Sequence, residues 1–167
     1  MSKTVRLVPG TPPDSPASTA AELLFGASAQ SKRQSKKYPS SRGGIAAHEA
    51  VEKGIPGSAL THLLSQVAVL EPAAVYKAVG VSLRTAQRRN LKPQQALSIE
   101  QGGRAWKFAE ILAKAAQVFG DQAAGERWLA TAAPSLDQRK PIDMLTTPVG
   151  TGMVEQLLGR IERGVYT

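Results

Sequence analysis

Residues 71–91 bring together the side chains best suited to chemistry with a partner. The run Glu71-Pro72-Ala73-Ala74-Val75-Tyr76-Lys77-Ala78-Val79-Gly80-Val81-Ser82-Leu83-Arg84-Thr85-Ala86-Gln87-Arg88-Arg89-Asn90-Leu91 reads as two short helices around a tight turn. Pro72 suits a first helical position, Gly80-Val81 the turn, and Ser82 the N-cap of the second helix. This is helix-turn-helix spacing. On a helical wheel Ala86, Gln87 and Asn90 lie within about 60° of Leu83, whereas Arg84, Thr85, Arg88 and Arg89 occupy the opposite half. A guanidinium fork matches guanine O6/N7 or a phosphate, and Thr85 and Gln87 can serve base edges or backbone, so Ser82, Arg84, Thr85, Gln87, Arg88 and Arg89 are candidate DNA contacts. The plainer alternative is a helical hairpin with a solvated cationic face. Tyr76 departs from the pattern, because the position four before the turn glycine usually holds a small residue, and so does Arg89, at a position that is often apolar.

A second constellation lies at the C-terminal end. Thr147 caps a helix with Pro148 in its first turn, and Val154, Leu157, Leu158 and Ile161 form a stripe running towards Val165 and Tyr166. Burying four such aliphatics contributes roughly 6–12 kcal/mol gross, too much to leave in water. Leu157 and Leu158 are expected in the core. The closing residues mix charge with apolar surface where fraying normally favours small polar residues, which suits a binding end.

Several kinds of chemistry are starved of residues. The 167-residue chain has no cysteine and two histidines, His48 and His62, leaving nothing for disulfides, thiol catalysis or cysteine zinc sites. No Ser/His/Asp or Cys/His set stands out, and Gly102-Gly103-Arg104 follows no strand, so it is not a phosphate-cradling loop. No enzyme, metal or cofactor is expected. His48 and His62 read as surface or partly buried side chains. Pro9, Gly10 and Pro12-Pro13 interrupt the N-terminal region where a signal peptide would need an apolar run, so a soluble, cytoplasmic protein without membrane attachment is expected.

The elements that position these residues are helical throughout. Residues 1–42 hold seven Lys/Arg against two acids and are rich in Pro, Ser, Ala and Gly, which predicts a basic, largely disordered arm. Within it, Thr19-Ala20-Ala21-Glu22 resembles a capping box on a short helix closed by Gly26, able to dock on the body or on a partner. Residues 43–103 hold six Lys/Arg against four acids and residues 104–167 eight against seven. A basic arm on a mildly basic domain fits nucleic acid, and the near-neutral last third points to another partner. Helices are predicted near 45–53, 57–68, 72–79, 82–90, 98–119, 121–132 and 148–163, giving an all-α fold. In the longest, Ala105, Phe108, Ala109, Leu112, Ala115, Ala116 and Phe119 share one face. Lys107, Glu110, Lys114 and Gln117 lie opposite, with Glu110 and Lys114 in the favourable i, i+4 order. Trp106, Phe108 and Trp128 are assigned to packing.

The order of these motifs resembles a known family. Ser98-Ile99-Glu100-Gln101-Gly102-Gly103-Arg104-Ala105-Trp106, Val118-Phe119-Gly120-Asp121, Trp128-Leu129, Pro141-Ile142-Asp143-Met144-Leu145-Thr146-Thr147-Pro148-Val149-Gly150, Arg160-Ile161-Glu162 and Gly164-Val165-Tyr166 are similar, over residues 57–167, to antitoxins of the Xre/MbcA/ParS type. The resemblance implies an Xre-like helix-turn-helix DNA-binding domain (43–103) followed by a small helical toxin-binding domain (104–167). It implies a RES-domain, NAD-depleting toxin as partner, inhibited by a C-terminal segment laid over its active site, and repression of the protein's own operon. The residues so implicated are Arg160, Ile161, Glu162, Arg163, Gly164, Val165, Tyr166 and Thr167 for the toxin, and the outward arginines with Thr85 for operator DNA. A homodimer is expected to match a symmetric operator, with a higher hetero-oligomer once toxin binds. A stand-alone regulator whose last domain only dimerises is the alternative. Two departures stand out: Asp137-Gln138 replace a glycine pair frequent after Leu136, and Arg163 replaces a frequent aromatic.

Overall fold

The computed structural model describes residues 16–26, 42–82, 84 and 95–165. Eight α-helices are described: α1 Pro16–Phe25, α2 Arg42–Lys53, α3 Gly57–Gln66, α4 Pro72–Val79, α5 Ile99–Phe119, α6 Gln122–Ala130, α7 Pro141–Met144 and α8 Pro148–Glu162. A 3-10 turn, Pro134–Leu136, lies between α6 and α7. No β-strand occurs among the described residues; the extended contacts are two isolated bridges, Pro56 to Ala96 and Ala133 to Arg139. No described helix is long and apolar enough to cross a membrane.

The longest helix organises the rest because nearly its whole length has an apolar face. Its start is fixed by a complete capping box: Gln101 N–H donates to Ser98 Oγ at 3.1 Å and Ser98 N–H to Gln101 Oε1 at 3.3 Å. Ala105, Trp106, Phe108, Ala109, Ile111, Leu112, Ala113 and Ala115 of α5 are buried, and α1, α2, α4, α6 and α8 all pack on it. Gly120, at φ +98°, ends it, and Asp121 caps α6 through a 2.6 Å bond from Ala124 N–H. Phe119 and Trp128 stack across that corner at 5.4 Å between ring centroids. The expected packing roles of Trp106, Phe108 and Trp128 hold, as does the burial of Leu157 and Leu158. His48 is exposed and His62 half-buried.

The polar face of α5 pairs differently from the expectation. Glu110 does not reach Lys114. It accepts from Trp106 Nε1 at 2.9 Å and from Lys107 Nζ at 2.9 Å, while Lys107 also reaches Glu155 of α8 at 3.1 Å and Lys114 reaches Glu162 at 3.5 Å. Glu110 thus pairs within its own helix, towards the N-terminus, while Lys107 and Lys114 find partners on α8. Burial pulls the Lys107 pKa down, but its hydrogen bonds and attraction to Glu110 and Glu155 outweigh this and raise it above the ordinary lysine value.

Within the segment read as a basic arm, residues 16–25 take the docked form. Ala20, Leu23 and Leu24 are buried against α3 and α5, and Phe25 lies 6.3 Å from Trp106 between centroids. The expected Thr19 cap is corrected: Pro16 begins the helix, as proline readily does, and Thr19 lies inside it. Elsewhere α3 ends at Gln66 and α6 at Ala130, each short of its predicted end. The short α7 and the 3-10 turn carry too few residues for a periodic signal and were not anticipated.

Two positions test this packing. A β-carbon on Gly125 would sit 2.8 Å from Ala116 N and 2.9 Å from Ala115 C, so α6 approaches the α5 backbone without room for a methyl. Gly125→Ala is expected to destabilise the fold by about 1–3 kcal/mol in chemical denaturation; an unchanged midpoint would refute the close contact. Asp137 and Gln138, the pair standing where relatives often have glycines, both adopt left-handed backbone at φ +51° and +59°. Left-handed conformation costs an L-residue about 1–2 kcal/mol, more than the extra chain entropy a glycine loses. Gln138→Gly is therefore expected to stabilise by roughly 0.5–1 kcal/mol, read as a higher thermal midpoint.

Candidate functional site

The helix-turn-helix begins as the sequence predicts. Pro72 opens α4, and Val75, Ala78 and Val79 are buried. A Schellman turn closes it: Gly80 N–H donates to Lys77 O at 3.1 Å and Val81 N–H to Tyr76 O at 2.9 Å, with Gly80 at φ +79°. The left-handed backbone is what favours glycine there; a β-carbon would also meet Arg104 Nη1 at 2.9 Å, the mobile end of a side chain that can shift. Tyr76 is half-buried against the core, and Val81 is buried. Ser82 and Arg84 then emerge exposed immediately after the turn. Thr85, Gln87, Arg88 and Arg89 lie outside the described residues.

Side chains from other elements hold this unit, and sequence reasoning missed them. Gln101 of the α5 capping box donates from Nε2 to Gly80 O at 3.2 Å, tying the turn to the helix behind it. Lys77 of α4 pairs with Asp143 of α7 at 3.2 Å on the surface. Most telling is Glu126 of α6, the only buried charged residue among the described ones, with 1% of its surface exposed. Its Oε2 accepts from three successive backbone N–H groups, Ala68 at 3.0 Å, Val69 at 2.6 Å and Leu70 at 3.3 Å. Gln122 donates to its other oxygen at 2.8 Å and to Gln66 O at 2.7 Å. A carboxylate buried in this way is stabilised only by donors, and the loop between α3 and α4 supplies them. The available signal was the polar Gln122/Glu126 pair at i, i+4 in a helix that otherwise packs on the core.

The C-terminal set divides by exposure. Thr147 caps α8 through Gly150 N–H at 3.1 Å, and Val154, Leu157 and Leu158 are buried. A second Schellman turn ends the helix: Gly164 N–H donates to Ile161 O and Val165 N–H to Arg160 O, both at 2.9 Å. Ile161 packs partly on the core, while Glu162, Arg163 and Gly164 are exposed and Val165 keeps 49% of its surface in water. Arg160 is half-buried, and its Nε–H, itself buried, finds no acceptor among the described residues. Tyr166 and Thr167 lie outside them. On the outward face of α8, Val149 and Met153 are also exposed. The described members of the two candidate sets, Ser82 and Arg84 on one side and Arg160 to Val165 on the other, lie at the ends of different helices.

Comparison with known proteins gives the same two-part division. Residues 46–110 match the antitoxin Xre-like helix-turn-helix domain, and residues 114–164 match the antitoxin Xre/MbcA/ParS C-terminal toxin-binding domain. An Antitoxin Xre of Pseudomonas putida is 34% identical over 84 residues, half of this chain and 52% of that protein. An Antitoxin Xre of Yersinia enterocolitica is 29% identical over 101 residues, 60% of this chain and 68% of that protein. The match therefore spans about half the length of the first relative and two thirds of the second. Both domains of the Xre/MbcA/ParS antitoxins are thus matched, in order, on an all-helical scaffold.

Proposed function

We propose that this protein is the antitoxin of a toxin–antitoxin pair, a non-catalytic binder that neutralises a co-encoded toxin and binds its own operator. The observation that carries the reading is the collinear succession of an Xre-like helix-turn-helix and a toxin-binding domain in one chain. Local geometry supports each half. Ser82 and Arg84 project just beyond the turn that would address DNA, and the end of α8 offers Val165, two charged side chains and an Arg160 donor with no acceptor among the described residues. A buried N–H without a partner costs free energy until an incoming group supplies one.

In this reading the toxin is of the RES type and depletes NAD, and Arg160 to Thr167 cover its active site. Arg84, Thr85, Arg88 and Arg89, with Ser82 and Gln87, contact the operator and repress the operon. The protein acts in the cytoplasm as a homodimer that joins the toxin in a larger assembly. A chain lacking residues 160–167 is expected to lose protection against the co-expressed neighbouring gene product while keeping its fold by circular dichroism. Retained protection would exclude the plug. Elution of the full chain without that product on co-purification would favour the stand-alone regulator.

For the operator, Arg88→Ala is expected to weaken binding by about 1–3 kcal/mol. If Arg88 serves a phosphate, the slope of log affinity against log salt falls by about 0.9; unaltered affinity would remove Arg88 from the interface.

A further inference from the structure

Besides the Gln101 bond to the Gly80 turn, the polar contacts around α4 come from the part of the chain matched to toxin binding. Glu126 and Gln122 lie on α6 and Asp143 on α7, within residues 114–164. Their partners, the Ala68–Leu70 amides and Lys77, lie in the helix-turn-helix part, residues 46–110. The Ala68–Leu70 segment leads within two residues into Pro72, so its position sets where α4 begins. Downstream, Gly80 directs the chain out to Ser82 and Arg84.

We propose that Glu126, in the toxin-binding domain, is a positioning residue for operator recognition. By gathering three consecutive amides on one buried oxygen it fixes the loop that delivers α4, and with α4 the turn that presents Ser82 and Arg84. The Lys77–Asp143 pair restrains the same helix near its other end. It is exposed, so it contributes less than the buried carboxylate. Operator affinity therefore depends on a residue far from the DNA-contacting set, and the second domain is part of the DNA-binding unit. This inference rests on the operator-binding reading above.

The test compares the full-length protein with Glu126→Gln on a duplex spanning the region upstream of its own gene pair. The glutamine keeps the shape and removes the charge that the three amides address. It is expected to lower operator affinity about tenfold, to speed amide exchange at Ala68–Leu70 and in α4, and to leave the salt slope as in wild type. By contrast, Arg84→Ala should lower the slope, as loss of a phosphate contact does. Faster exchange at Ala68–Leu70 with wild-type affinity would overturn the inference and leave operator binding standing. Wild-type protein that binds this duplex no better than a scrambled one would overturn the operator reading, and this inference with it. Should Glu126→Gln not fold, Gln122→Ala provides the second variant. It removes the donor to the second carboxylate oxygen, together with the bond to Gln66 O, and is expected to cost about threefold in affinity; no loss would again refute the positioning role.

Discussion

Burial of one face of a single 21-residue helix, α5, holds this molecule together. The helix runs through the point where the two family matches meet, between residues 110 and 114, so the DNA-binding and toxin-binding parts share an element and a core. Trp106, Phe108, Ile111 and Leu112 belong to the one continuous core cluster that spans both. Neither part is a module strung on a linker. Each uses the other as the surface against which its apolar residues leave water.

Apolar burial does not set orientation, since it is indifferent to small rotations. Directional contacts do that here. The Gln101 side chain couples the start of α5 to the Gly80 turn, and the Glu126 carboxylate couples α6 to the loop before α4. Both sit beside the helix-turn-helix. The far end of α8 is held less tightly: its cap bonds are local, and Val165 and Arg163 face water. A helix-turn-helix held by directional contacts and a helix end open to water are two distinct surfaces.

Much of this was legible in the residue pattern. The 3.6-residue periodicity of Ala105 to Phe119, the cap at Thr147 and the glycine stop at Gly80 each reflect local physics, and each has its counterpart in the fold. The docking of α1 was open in the sequence, because a ten-residue helix is marginal alone and only tertiary contact decides its fate. Long-range polar contacts were not legible. Nothing near Glu126 in sequence reveals that its partners lie 56 to 58 residues away, nor that Lys107 and Lys114 pair with Glu155 and Glu162 of α8. Of the candidate contact residues, Ser82, Arg84 and Arg160 to Val165 fall within the described structure. The turn at Asp137-Gln138 requires left-handed backbone twice in succession, a conformation that glycine adopts without strain.

The central claim is that one rigid helical body carries two separate binding surfaces, one for DNA beyond the Gly80 turn and one for a toxin at the end of α8. Amide hydrogen exchange on the full chain, measured alone, with operator duplex and with the co-encoded toxin, tests it most directly. The account predicts protection confined to residues 80–90 with duplex and to the last turn of α8 and the residues after it with toxin. Protection of the same segment by both partners, or none with either, would contradict it.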